Sequence, residues 1–165
     1  MNYLSDKICT PEEAAELIQN QEVVGVSGFT LSGYPKLVPK ALAKKAERLH
    51  QAGIPFAITL YSGASTGESC DGLLALANAV SERAPYQSNA TLRKKINEGT
   101  IRYLDEHLGL MGVKIREGSL RAPTTVIIEA SHISENGKIY LSTSGGNSVA
   151  FLERAENVII ELNSR

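Results

Sequence analysis

The chain has 165 residues, a formal net charge of −1 and a pI near 6.3, the size of one ordinary domain without the basic excess of a nucleic-acid binder. Hydrophobic residues make up 42%, enough for a sizeable core, while aromatics are 5% with no tryptophan, which leaves few platforms for stacking bases. No apolar run reaches the roughly 20 residues of a membrane-spanning helix, the N-terminus lacks the apolar stretch of a secretory signal, and Cys9 and Cys70 form no C-x-x-C site, so the expected setting is reduced and cytoplasmic, with neither nucleic acid nor membrane as partner.

In chain order, Thr10-Pro11-Glu12-Glu13 predicts a helix start: a hydroxyl cap, proline in the first turn, then acids that suit the helix dipole. That helix is expected to run to about Gln19. "EVVGVSG" reads as a short apolar strand, and a long helix follows from Pro35 to about His50. "FAITLY" is the next strand, and "DGLLALANAV" reads as a helix. "SNATLRKKINEG" is a compact helix with a serine or asparagine cap and a glycine stop. A short strand near "TIRYL" precedes a helix through "HLGLMGVKI". "TTVIIEAS" is a β-branched buried strand, and the next residues alternate around Asn136-Gly137, a hairpin signal of the type I′ kind. "GNSVAFLERA" is helical, and "ENVIIEL" is a last buried strand.

Strands such as "TTVIIEA" and "NVIIEL" are apolar without alternation, as expected when both faces of a sheet are covered. The alternating elements predict an α/β fold, a layered and mostly parallel sheet with helices on both faces. Ligands in such folds bind beyond the carboxyl ends of the strands. Glycine-rich turns at Gly25 to Gly33, Gly63 to Gly67 and Gly145-Gly146 fall at those ends and mark the expected site.

Gly63-Ala64-Ser65-Thr66-Gly67 spells G-x-S-x-G after a strand, the form of a nucleophile elbow. A serine hydrolase would need a base and an orienting acid, and Asp105 and His132 follow in the required order. No HGGG-type oxyanion loop precedes them. The other reading is a turn whose amides and hydroxyls hold an anion, as in a non-catalytic carboxylate-binding module. Neither a P-loop nor a G-x-G-x-x-G motif occurs, and no metal-ligand spacing is present, so no metal is expected. Lys36, Lys40, Lys44 and Arg48, with Lys45 alongside, form a basic stripe that is either a solvated face or a local attraction for a phosphate-bearing ligand.

Gly28-Phe29, three residues, Gly33, one residue and Pro35 make a pattern that resembles the N-terminal signature of class I coenzyme A transferases. Ser27 stands where the common signature has a further glycine. "GVSGF", "ITLYSGASTG", "DGLLALANAV", "RAPYQSNATLRKKIN", "VIIEASHISENG", "TSGGNS" and "AENVIIELN" are similar, in that order, to the acetyl-CoA hydrolase/transferase group, which includes succinyl-CoA:acetate CoA-transferases. The resemblance spans nearly the whole chain. It implies a NagB/RpiA/CoA-transferase-like fold in which residues 1–165 form a single domain, the N-terminal one of a longer two-domain enzyme. It also implies ping-pong chemistry, in which a glutamate attacks the acyl-CoA thioester and gives glutamyl-CoA through an acyl anhydride, after which a carboxylate such as acetate or succinate takes the CoA.

In that family the glutamate lies in the second domain, so no catalytic residue is expected in this chain and the isolated chain is expected to be inactive. A coenzyme A thioester is expected as substrate and no permanently bound cofactor is implied. The implied partners are the acyl-CoA, the small carboxylate, the C-terminal domain of the same enzyme and, for the parent, a second copy in a homodimer. By the same resemblance Ser65 is a binding residue rather than a nucleophile, in a carboxylate pocket built from Gly63, Ala64, Ser65 and Thr66 and lined by Gly28, Phe29 and Thr30. Ser134-Glu135-Asn136-Gly137 matches a string that marks the active glutamate in second halves of such enzymes, and here it is expected to be a hairpin turn. Glu129 is expected to be a hydrogen-bonded structural acid.

Overall fold

The computed structural model describes residues 4–163. After a short 3-10 turn at Ser5–Lys7, helix α1 (Pro11–Glu16) begins with a capping box. The Thr10 hydroxyl accepts from Glu13 N at 3.2 Å while Thr10 N donates to the Glu13 carboxylate at 2.8 Å, which satisfies two donors the helix cannot. The helix stops before Gln19 because local side-chain bonds compete: Gln19 N donates to Glu22, and its amide turns back to the carbonyls of Glu16 and Leu17.

Strand β1 (Val23–Val26), helix α2 (Leu37–Gln51) and strand β2 (Ile58–Tyr61) follow. No side chain of its own caps α2. The Glu161 carboxylate, 125 residues downstream of Lys36, accepts from the amides of Lys36, Leu37 and Val38 at 2.7, 2.8 and 3.0 Å. The expected helix at "DGLLALANAV" divides into three pieces: a π-helical turn at Glu68–Gly72, helix α3 (Leu73–Leu76) and strand β3 (Val80–Ala84). Asn78, at φ 55°, breaks the helix, and pairing of Val80 with Ile58 draws the rest into the sheet, so tertiary pairing overrides local propensity.

Helix α4 (Ala90–Asn97) has the expected asparagine cap, with Asn89 accepting from Leu92 N at 3.0 Å. Strand β4 (Arg102–Tyr103), helix α5 (Leu108–Glu117), strand β5 (Thr125–Ile133), strand β6 (Ile139–Leu141), helix α6 (Ser148–Leu152) and strand β7 (Asn157–Leu162) complete the chain. Strands β4, β3, β2, β1 and β5 lie side by side in that order and run parallel, and β7 pairs parallel with β5 over Thr125 to Ala130. Since β1 and β7 both pair with Thr125, and β6 and β7 both pair with Ala130, β6 lies on the β1 side, antiparallel, beyond the end of β1.

Successive strand residues bury into opposite layers, as period-2 geometry requires. Val24, Val26, Ile58, Leu60 and Ile127 join Ile18, Leu42, Leu74 and Leu92 under α1 to α4. Val23, Tyr61, Val126 and Ile128 join Met111, Ile115 and Phe151 under α5 and α6. Each fully buried Leu or Ile stabilises by about 1.5–3 kcal/mol relative to exposure. This is the expected layered α/β sheet.

Two further expectations need correction. Strand β7 is only partly buried, with Val158 at 45% and Leu162 at 58% exposure, because β5 is its sole neighbour among the described strands. The β5–β6 hairpin is not of the type I′ kind, since Gly137 has a positive φ (80°) and Asn136 does not. Instead Gly137 N bonds Ser134 O at 2.8 Å and Ser134 N bonds Lys138 O at 3.0 Å, a three-residue loop that needs only one left-handed position. No helix among the described residues is long and apolar enough to cross a membrane.

Candidate active site

The glycine-rich turns after β1, after β2 and before α6 meet at one end of the sheet. The Gly28 carbonyl is wedged between Gly63 and Gly146: a Cβ on either would fall 2.1 or 2.3 Å from it. A Cβ on Gly33 would fall 2.5 Å from the Ser144 carbonyl, so any side chain there would separate the turns. Gly28 itself has φ 104°, a region open to glycine and strained for other residues. Turn chemistry thus puts segments far apart in sequence into backbone contact.

Beyond Gly28 the chain forms a two-residue hairpin, with Phe29 and Ser32 exchanging backbone bonds of 2.9 and 3.1 Å. Its tip holds Thr30 at φ 55°, uncommon for a β-branched residue, and leaves Phe29 45% exposed. A cleft of about 300 Å³ opens beside this tip, lined by Phe29, Thr30 and Ala64 together with Tyr86 and the segment Asp105, Glu106, His107 and Leu108. Tyr86, Glu106, His107 and Leu108 were missed by sequence reasoning, and Asp105 was read only as the acid of a hydrolase triad; they arrive here because β3 lies beside β2 and β4 beside β3. Lys114 and the His107 amide donate to the Glu106 carboxylate and hold it below the usual carboxylate range, so a charged acid sits at the rim.

The remaining expected site residues lie behind this wall. Gly28 and Gly63 form the backbone contact, Ser65 is 1% exposed, and Thr66 is buried. The Ser65 hydroxyl accepts from Ser88 Oγ at 2.8 Å. His132 is exposed and packs against Tyr140 with ring centroids 5.7 Å apart and planes tilted by 37°, and no hydrogen bond joins Ser65 to His132 or Asp105 among the described residues. The geometry therefore lacks the serine–histidine contact a hydrolase elbow needs.

Beneath the turn lies a fully buried ion pair that sequence reasoning also missed. Arg83 on β3 donates to Asp71 through Nε at 2.9 Å and Nη2 at 3.1 Å, both side chains at 0% exposure. Arg83 Nη2 also reaches Ser62 Oγ at 2.8 Å and the Ala64 carbonyl at 3.2 Å. Asp71 in turn accepts from Thr66 N at 2.8 Å, and Thr66 Oγ1 accepts from Asp71 N at 3.1 Å.

Glu129, 4% exposed at the sheet end, accepts from Lys36 Nζ and from Ser142 Oγ at 2.6 Å. Burial pushes its carboxyl up, but those donors outweigh it and hold the group below the usual carboxylate range. It is hydrogen-bonded, as expected of a structural acid. Ser27 ties the same region together, donating to Gly33 O at 2.7 Å and accepting from Glu129 N at 2.8 Å. The basic stripe is largely engaged: Lys36 with Glu129, Arg48 with Glu16 at 2.6 Å, and Lys45 with the end of α1. Lys40 and Lys44 remain on the exposed face. A larger hollow of about 800 Å³ lies at the opposite end of the sheet, beside Gln21, Phe56 and Arg121, away from these turns. Among the described residues no group of three or more His, Cys, Asp or Glu could hold a metal ion.

Residues 2–165 match the model of the acetyl-CoA hydrolase/transferase N-terminal domain. The chain belongs to this family. It is 46% identical over 160 residues to a succinyl-CoA:acetate CoA-transferase from Clostridium kluyveri, covering 97% of this chain and 29% of the relative. It is 43% identical over 154 residues to a propanoyl-CoA:succinate CoA transferase from Escherichia coli K12, covering 93% of this chain and 31% of the relative. An acetyl-CoA hydrolase from Neurospora crassa is 34% identical over 164 residues, 96% of this chain and 31% of that protein. This acetyl-CoA hydrolase/transferase domain therefore spans about a third of the length of those curated relatives. Among solved structures, RipA from Yersinia pestis superposes with a TM-score of 0.72 at 20% identity, over 98% of this chain and 38% of that one. An acyl-CoA transferase from Escherichia coli O157:H7 gives 0.71 at 12% identity, over 93% and 42%. These two establish the CoA-transferase-like fold.

Proposed function

We propose that this chain is the N-terminal domain of a longer two-domain enzyme that moves CoA between a short-chain acyl-CoA and a carboxylate such as acetate or succinate. The observation that carries this reading is the convergence of the Gly28, Gly63 and Gly146 turns at the cleft, in a chain whose relatives include CoA-transferases of both substrate descriptions. The reaction proceeds through a glutamyl-CoA intermediate whose glutamate lies outside these residues. Attack on the thioester forms an acyl anhydride and releases CoA thiolate; the thiolate then attacks the glutamyl carbonyl and releases the acyl group as its carboxylate. The acceptor carboxylate reverses both steps.

In this reading the Ala64–Thr66 turn and the Gly28–Thr30 hairpin form the wall that receives the carboxylate. Hydroxyls and turn amides replace its lost water, with the dipoles already oriented. Phe29 and Tyr86 supply the apolar sides that fit a short acyl chain. Ser65 acts as a hydrogen-bond donor, with Ser88 beside it. The hairpin glutamate, Glu135, is exposed at the tip of the β5–β6 loop and has no part in the chemistry. The parent acts in the cytoplasm and as a homodimer.

The test is CoA exchange in the full-length parent, with succinyl-CoA and acetate, following acetyl-CoA by mass spectrometry. Product is expected from the full-length protein, none from this domain alone, and no loss in Glu135→Ala. A full-length protein that makes no acetyl-CoA from any short acyl donor overturns the reading.

A further inference from the structure

We infer that Asp71 and Arg83 are positioning residues for the carboxylate wall, holding the peptides on either side of Ser65 at a set height in the cleft. The inference rests on the proposed function, because it assumes the Ala64–Thr66 turn receives a carboxylate.

Three observations lead to it. Both charges are at 0% exposure, and a buried ion pair is a poor way to gain stability, since well-packed apolar residues often serve as well or better. Its contacts are also concentrated on one target. Beyond Asp71, the guanidinium donates to Ser62 Oγ, Ala64 O and the Ala84 carbonyl of its own strand. Beyond Arg83, the Asp71 carboxylate accepts from the Thr66 amide, and the Asp71 backbone N–H donates to the Thr66 hydroxyl. The Ala64 carbonyl and the Thr66 amide are the two peptide groups that flank Ser65. Both are therefore held from below, and the Ser65 hydroxyl bonds Ser88, directly behind the cleft-lining Ala64.

The third observation is the lack of slack elsewhere. Gly63 is packed on the Gly28 carbonyl with no room for a methyl group, so the start of the turn is fixed against the Phe29–Thr30 side. The ion pair fixes its far end. The π-helical turn at Glu68–Gly72 contributes Asp71 to this arrangement; its Gly72 N to Gly67 O contact at 3.4 Å is the wide i→i+5 bond of such a turn. Insertions of this kind recur at functional sites. Arg83 fits the role better than lysine, because its planar fork reaches Asp71, Ser62 and Ala64 together.

The experiment uses the full-length parent with succinyl-CoA and acetate, and compares wild type, Arg83→Lys and the double variant Asp71→Leu/Arg83→Met. Thermal midpoint, KM for acetate and KM for acyl-CoA are measured for each. The double variant removes both charges together and avoids an orphaned ion; Arg83→Lys keeps the charge and loses the fork. In whichever variant keeps its thermal midpoint within a few degrees, the KM for acetate is expected to rise at least ~10-fold, with the KM for acyl-CoA within ~2-fold. A folded variant with wild-type KM for acetate, or with both KM values raised together, overturns the inference. So does loss of folding in both variants, which would make the pair an element of the core. Wild-type protein without acetate-dependent transfer would instead count against the proposed function.

Discussion

Cys70 lies fully buried in the π-helical turn, and burial, with the Asp71 carboxylate beside it, pushes its thiol up to about 12. Cys9 is exposed. Because the thiolate is the reactive form, the folded domain should react with DTNB at Cys9 alone, and the second thiol should appear only in denaturant. Fast reaction of both would mean that the turn opens readily. Glu129 gives a second residue-scale expectation. Its folded pKa is depressed, so its stabilising contact is complete above the ordinary carboxylate pKa of about 4.3 and is lost as pH falls below that. Urea midpoints of Glu129→Gln should therefore fall well below wild type at pH 7 and converge on it as pH falls through the folded pKa of Glu129. A gap that stays constant with pH would assign the effect to packing.

Helix ends show how side chains serve elements other than their own. Lys45 is 8% exposed, and its ammonium donates to the carbonyls of Ala15, Glu16 and Ile18 at 3.1, 3.1 and 2.8 Å, closing the end of α1. Lys45→Met should cost about 1–3 kcal/mol in chemical denaturation, the range for stranding buried acceptors. Glu161→Ala should cost about 1 kcal/mol or more by uncapping α2, read as a lower thermal midpoint; an unchanged midpoint would show that water replaces the cap. The contrast with α1 and α4 explains what was legible. Thr10–Glu13 and Asn89–Leu92 are local and were read from spacing. The Glu161 cap comes from a strand 125 residues away, and no local pattern announces it. Strand β3 escaped for a related reason. "VSERA" looks polar, and its arginine is buried only because Asp71 waits on another element.

At the scale of the molecule, the sheet order decides which turns become neighbours. The glycines at 28, 63 and 146 were readable as turns, and their placement at strand ends predicted a shared site. Tyr86 and Glu106–Leu108 carry no motif, and Asp105 entered only as a triad acid; they reach the cleft through the β4-β3-β2-β1 order, which pattern reading did not supply. Gly63→Ala tests the convergence. A methyl group 2.1 Å from the Gly28 carbonyl must push two backbones apart, so a loss at or above the ~1–3 kcal/mol of ordinary overpacking is expected in the thermal midpoint. A neutral Gly63→Ala would show that the turns meet loosely.

Glu161 also orders events in time. Strand β7 fills the far edge of β5, and its carboxylate completes the start of α2. During synthesis α2 therefore lacks this cap until β7 has left the ribosome tunnel. A nascent chain stalled before Glu161 would carry an uncapped α2 directly behind the cleft hairpin.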